Sequence, residues 1–490
     1  MIERIQLDGV DPEGLARDEA SLEDLGRELA VLQRALSASR RSALVIIDGW
    51  ECAGKGKLLS RLVRDLDPKH YRVELFEAPT SREQAHTFLW RYMRAAPTRG
   101  DLVFFDRSQY YEVLRALEAD RATYEGYLAD IRFFERLLVR DGTLIMKFFL
   151  HQTRADLAKR VAKRRDQLAT ETDPVARQEL VTNALPLAYY EDHLAHYDRV
   201  LSATNVDWAP WQVLNTRHQK RAAKAALRQI IAALEAHLAK PAPADDPLPV
   251  GDFPPLDPAT PKAPEDLAPL QKDLGRLLKA LHRRQVPVVI VFEGTDTAGK
   301  GGTIRRLTRQ MDPRGFHVAT VAAPSQADLD RHYLGRFYRD FPEKGHLTIF
   351  DRSYYGRVLV ERVEGLTPTE RISQAYDEIV AMEESLVRGQ VLVLKFLLVI
   401  DKAVQNDRLI DRAKDPDKRY KLTDEDWRNY NKYEAYTEAM AEMVARTGKA
   451  VPWQVVDANS KPEARYHILK AVRDALKGAL AESEDGCICE

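Results

Sequence analysis

Apolar and polar positions along this chain follow two alternating periods, and the order of those periods occurs twice. Residues 22–36 place apolar side chains at three- and four-residue spacing, which predicts an amphipathic helix. An unbroken apolar run follows at 43–47 and stops at a glycine, as a strand buried on both faces would. Further runs of this kind occupy 101–105 and 144–150. The series then begins again with an amphipathic helix at 267–281 and apolar runs at 286–292, 347–350 and 391–398. Helical segments separate the runs, and strand alternating with helix predicts a parallel sheet sandwiched by helices.

The repetition extends to individual residues. Gly49 and Gly294 lie 245 residues apart, and so do Asp67-Pro68 and Asp312-Pro313, Ala78-Pro79 and Ala323-Pro324, and Asp106-Arg107-Ser108 and Asp351-Arg352-Ser353. Lys147-Phe148 and Pro210-Trp211 recur as Lys395-Phe396 and Pro452-Trp453, with the offset drifting by a few residues as loops permit. A series of matches in one order marks a duplication. Proline crowds residues 240–264, which predicts a semi-rigid connector between a domain at 1–239 and another at 265–490.

A length of 490 residues suits two such domains. The formal net charge of −1 argues against a general nucleic-acid binder and leaves room only for local basic patches. Three cysteines, two of them (Cys487 and Cys489) at the end of the chain, do not make a disulfide framework and suit a reducing compartment. With no apolar leader and no apolar run of membrane-spanning length, the cytoplasm is the expected location.

The chemistry concentrates in the second half. Gly294, Gly299 and Lys300 have the spacing of a phosphate loop, between an apolar strand and a helix-like run. In that setting, backbone amides around Gly299, Gly301, Gly302 and Thr303 cradle phosphate at a helix N-terminus, and Lys300 reaches the phosphate oxygens. Without a ligand the same glycines would serve only as a strand–helix turn. Gly301 stands where a Mg²⁺-binding hydroxyl usually follows the lysine, so Asp296 within the loop becomes the candidate metal ligand. A second strand ends in Asp351-Arg352, placing a carboxylate for Mg²⁺ and a guanidinium for phosphate at the crevice. Arg408 and Arg412 share a helix face four residues apart, and Lys418, Arg419 and Lys421 follow. These read either as a solvated helix, with Asp407, Asp411, Asp415 and Asp417 balancing the charge, or as a lid that closes cations on phosphate and excludes water. Trp427, Tyr430, Tyr433 and Tyr436 recur at helical spacing, more suggestive of core packing than of adenine stacking.

Together these segments resemble the type-two polyphosphate kinase family. The matching pieces are the loop with Gly294, Asp296, Gly299 and Lys300, the stretch from Phe350 through Val363, the lid segment from Lys418 to Trp427, and Pro452 through Asn459. The resemblance covers 265–480 well and the first half more faintly. It implies an α/β fold of two tandem P-loop kinase domains with a helical lid. It also implies Mg²⁺-dependent transfer of phosphate between inorganic polyphosphate and a nucleotide. Residue by residue, it makes Asp296 the activator or orienter of the accepting phosphate, Lys300 the phosphate lysine, Asp351 and Arg352 the strand-end pair, and Arg412 the lid arginine. The tandem arrangement is similar to the subgroup that converts AMP to ADP. An ATP-dependent nucleoside monophosphate kinase and a non-catalytic phosphate-binding scaffold are the alternatives. The expected partners are polyphosphate and nucleotide, with neither nucleic acid nor membrane, and a homodimer is the assembly considered.

The first half departs from this pattern. Glu51 stands in place of the loop aspartate, Lys57 in place of Gly302, and the lid segment has no clear counterpart near residues 166–180. Lys55, Asp106, Arg107 and Arg164 remain. A glutamate is one methylene longer, and reacting groups need placement within about 1 Å, so this half is expected to be weak or inactive. It is expected to hold polyphosphate or to form an interdomain or dimer surface.

Overall fold

The apolar runs become strands of two five-stranded sheets in a computed structural model that describes residues 4–11, 15, 19–170, 172, 187–240, 253–264, 266–416 and 424–485. In the first, β1 (Ser42–Gly49), β2 (Tyr71–Leu75), β3 (Leu102–Asp106), β4 (Thr143–His151) and β5 (Trp211–Asn215) pair in the order β2-β3-β1-β4-β5. In the second, β6 (Val288–Gly294), β7 (Phe316–Thr320), β8 (Leu347–Asp351), β9 (Leu392–Val399) and β10 (Trp453–Asp457) pair as β7-β8-β6-β9-β10. Every pairing is parallel, and the two orders are the same. The chain divides into two compact units whose main bodies are Met1–Thr80 with Leu89–Ala242 and Pro243–Ser325 with Tyr333–Glu490. Among the described residues, no helix is long and apolar enough to cross a membrane.

The sequence pattern predicts the three inner strands of each sheet and misses the outer two. Inner strands such as β1 and β6 are covered on both faces, so their middles are continuously apolar, at 43–47 and 288–292. Outer strands carry polar residues among the apolar ones, as in Tyr71-Arg-Val-Glu-Leu75, because water reaches part of them. Proline at 287 cannot donate to the ladder, so β6 begins at Val288 rather than at 286.

Helices cover both faces of each sheet. In the second unit, Ala268–Arg284 and Lys461–Asp485 pack on one side, where Leu274, Leu278, Leu281, Ile468 and Val472 meet Ile290 and Phe396 of the strands. On the other side lie Thr369–Arg388 and Tyr433–Thr447. There the strand lysine Lys395 is fully buried and donates to Glu383 Oε2 at 2.7 Å, Tyr355 Oη at 2.8 Å and the Thr447 carbonyl at 2.9 Å. Lys147 makes the same set with Glu135, Tyr110 and the Thr204 carbonyl. Burial lowers the Lys395 ammonium, and the paired Glu383 partly offsets it. The Lys-Phe pairs of the repeat are thus satisfied core ion pairs that fix a helix to the sheet.

Candidate active site

Strand order decides what meets at the phosphate loop. The central strand β6 ends at Gly294, and the following turn delivers Lys300 as the first residue of the helix Lys300–Leu307. Beside it, the β6–β8 register sets Asp351 opposite Phe292, and the Arg352 amide donates to the Phe292 carbonyl at 3.1 Å. Parallel strands carry both tips to the same edge, so the loop and the Asp-Arg pair become neighbours. Gly294 is required where it stands, because a Cβ there would lie 2.0 Å from the Leu398 carbonyl oxygen. Arg352 itself adopts φ +61°, a left-handed conformation uncommon for a residue with a side chain.

One cavity of about 650 Å³ gathers Asp296, Lys300, Asp351, Arg352 and Arg412, with Gly299, Gly301 and Gly302 of the loop. The Lys300 ammonium rests on the Gly294 carbonyl at 2.6 Å and the Thr295 carbonyl at 3.1 Å. Burial lowers its pKa while the Asp296 charge opposes that shift. Asp296 is gripped from two directions: Arg352 Nη2 donates to Oδ1 at 2.9 Å and Asn429 Nδ2 to Oδ2 at 2.8 Å. Burial alone would raise the Asp296 carboxyl, but the Lys300 and Arg352 charges and these two hydrogen bonds hold it below its ordinary value. It is therefore ionised under working conditions and suits orientation and charge complementarity rather than proton uptake. Arg412 enters the same cavity and donates to Asp426 at 3.3 Å.

Three expected phosphate contacts are placed elsewhere. Arg408 donates to the carbonyls of Thr297 at 3.2 Å and of Ala458 and Asn459 at 2.9 Å. It clamps the phosphate loop to the end of β10 and does not line the cavity, because those carbonyls take its donors. Thr303 is buried and turns its hydroxyl back to the Gly299 carbonyl. Gly294 lines an adjoining cavity of about 70 Å³ with Leu359, Tyr433, Tyr436 and Met440, which also shares Asp296 and Arg352. Two of the four spaced aromatics thus face this cavity. The helix Lys402–Lys414 precedes the expected lid segment and the helix Asp424–Asn431 takes in its end, while Lys418, Arg419 and Lys421 lie outside the described residues.

The sequence reading missed Asn429, Lys461 and Arg465. Lys461 and Arg465 line the larger cavity from one face of the last helix, and their four-residue spacing is a signal that could have found them. Asn429 has no comparable signal, since it lies 133 residues from the Asp296 that it holds. Loss of that amide in Asn429→Ala should lower kcat about 10–100-fold, the scale of a misplaced reacting group, with little change in polyphosphate KM. The Asp296 carboxyl should titrate at higher pH in this variant, so the acid limb of its pH–rate profile moves upward. An unmoved limb with unchanged kcat would remove Asn429 from the site.

For a divalent cation, the carboxylates lining the cavity among the described residues are Asp296, Asp351 and Asp426, the last of them paired with Arg412. The Asp351 carboxylate accepts no hydrogen bond among the described residues and faces Gly301, where a Cβ would lie 3.6 Å from Oδ2. It fits Mg²⁺, which takes one or two carboxylates and completes its shell with water and phosphate oxygens. Both Asp296 oxygens are already engaged by Arg352 and Asn429.

A glycine loop at the tip of a central parallel strand, a lysine opening the next helix and a carboxylate on the neighbouring tip define an α/β protein of the P-loop kinase type. Comparison with known families narrows this. The family model described as Polyphosphate kinase 2 (PPK2) matches residues 14–242 and again 260–484, and the chain belongs to that family. It is 36% identical over 470 residues to the polyphosphate:AMP phosphotransferase of Pseudomonas aeruginosa, covering 90% of this chain and 92% of that one. It is 34% identical over 487 residues to the protein of that name from Pseudomonas syringae pv. tomato, covering 95% and 96%. A crystal structure described as a polyphosphate kinase 2 from Pseudomonas aeruginosa PA01 superposes with a TM-score of 0.80 at 34% identity, over 94% of this chain and 95% of the other.

Proposed function

We propose that the second domain transfers the terminal phosphoryl group of inorganic polyphosphate to a nucleotide, with AMP as acceptor and ADP as product. The observation that carries this is the junction of two unlike cavities at Asp296 and Arg352. Among the described residues the larger one holds six lysines and arginines against three carboxylates, which suits a phosphate chain. The smaller one is walled by Leu359, Tyr433, Tyr436 and Met440, which suits a nucleoside. At about 70 Å³ it is smaller than a ligand site of several hundred Å³, so the acceptor enters as Asp424–Asn431 shifts, consistent with a lid.

In the reaction, an oxygen of the AMP phosphate bonds to the terminal phosphorus of the chain while the bridging P–O bond breaks. The shortened chain leaves with the bond's electrons. Lys300 neutralises the leaving chain, Arg352 and Arg412 offset the charge on the transferred group, and Asp296 orients the Arg352 fork. Asp351 would hold Mg²⁺, which when bound would supply further neutralisation of phosphate charge. The names of three relatives that each span nearly the whole chain favour AMP as the acceptor.

The test incubates purified protein with AMP, ADP, GMP or GDP, each with polyphosphate and Mg²⁺ and without ATP. ADP formed from AMP is the expected result. Phosphorylation of AMP that requires ATP would replace this reading with that of a nucleoside monophosphate kinase.

A further inference from the structure

The first domain repeats the phosphate loop, yet the space beside it differs. The helix Tyr190–Thr204 matches Tyr433–Thr447 residue for residue in length, so Tyr190 stands for Tyr433 and Tyr197 for Met440. Thr295 is replaced by Trp50 and Gly356 by Tyr111. Trp50 is fully buried, stacks on Tyr190 with ring centroids 4.5 Å apart, meets Tyr197 edge-on at 4.9 Å and donates to His151 Nδ1 at 3.2 Å. An indole with a partner on each side occupies the volume that is a cavity in the second domain.

The phosphate side is enlarged instead. A cavity of about 1640 Å³ opens over the loop, lined among the described residues by ten lysines and arginines and three carboxylates. Gly54 at φ +93° begins the helix Lys55–Leu62, as Gly299 begins its counterpart, so the amides still point at the cavity. Arg160 repeats the Arg408 clamp by donating to the Cys52 and Thr216 carbonyls, which places Arg164 where Arg412 stands. Lys57, Lys163 and Lys220 line the cavity, are exposed, and make no ion pair among the described residues. Among the described residues the lining contains no Phe, Tyr or Trp, whereas single-stranded nucleic-acid grooves combine cations with aromatic stacking platforms.

We propose that the first domain is a holding site for linear inorganic phosphate chains that has lost its nucleoside pocket to Trp50. This rests on polyphosphate being the donor at the second domain. Cations so far in excess of carboxylates favour a long chain over a short one, and such binding weakens with salt as condensed counterions are released.

The test measures binding of chains of about 50 phosphates, and of tripolyphosphate, to the full-length protein carrying Lys300→Ala. That protein should bind the long chain more tightly than tripolyphosphate. Adding Lys57→Glu, Lys163→Glu and Lys220→Glu should weaken long-chain binding at least about 30-fold, as the loss of several phosphate contacts predicts. A control with Arg34→Glu, Lys69→Glu and Arg136→Glu carries the same charge change at exposed positions away from the cavity, and should shift binding less than about threefold. An 8-azido-ADP photolabel should mark no peptide of residues 4–240. The proposal falls if the cavity variant binds as its parent does, if the control weakens binding as much, if single-stranded RNA of equal charge binds as tightly, or if the photolabel reaches the Trp50 or Tyr190 peptide. These readouts are independent of turnover: an enzyme that made no ADP from AMP would overturn the second-domain reading while the binding comparison still decided this one.

Discussion

Replacing Lys300 by alanine should lower kcat/KM for polyphosphate-dependent phosphorylation of AMP by about 1,000-fold, the scale set by removing one preorganised donor from a developing charge. Lys55→Ala should lower it less than about tenfold, because the first domain is assigned to holding the chain rather than to transfer. The two lysines themselves do not rank the domains: Lys55 rests on the Gly49 and Trp50 carbonyls at 3.2 Å, much as Lys300 rests on Gly294 and Thr295. The ranking comes from the acceptor side, open beside Asp296 and filled by Trp50 beside Glu51. Initial rates of ADP formation for the two variants decide the matter. Loss in the Lys55 variant alone would place the chemistry in the first domain.

Lengthening the loop carboxylate by one methylene, Asp296→Glu, is expected to cost about 100-fold in kcat, since an error of about 1 Å in a reacting constellation has that effect. The added length pushes the carboxylate past the points where Arg352 and Asn429 hold it. In the first domain Glu51 meets Lys55 at 3.6 Å and Arg107 at 3.4 Å, a looser arrangement. The reciprocal Glu51→Asp, made in a Lys300→Ala background, should restore no ADP formation, because Trp50 still fills the acceptor volume. Retention of more than a tenth of wild-type turnover in Asp296→Glu would show that the loop acid tolerates displacement, and the orienting role would be withdrawn.

Much of this molecule could be read from local spacing. Apolar runs too continuous for a surface strand marked the inner strands, because a strand covered on both faces has no polar side to show. Glycines at 294 and 299 marked the loop, because backbone that must approach β9 or turn left-handed excludes a Cβ. The Asp-Arg pair at the end of β8 was legible because parallel strands bring their tips to one edge, so position along the strand implies position in the site. The repeat and the family resemblance were legible in the same way, as fixed residue types at fixed offsets.

What sequence spacing could not show was which side chains meet across the crossovers. Arg408 and Arg412 share one helix face, yet one binds loop carbonyls and the other lines the phosphate cavity; small differences in where each guanidinium ends decide between them. Asn429 reaches Asp296 only after the chain has passed through three further strands and their helices. Trp50 looked like one more loop substitution, and only its stack on Tyr190 shows that it fills a pocket. Spacing along the chain reports the burial and backbone demands of single elements. Contacts between elements depend on how those elements pack, and packing was decided by the tertiary structure alone.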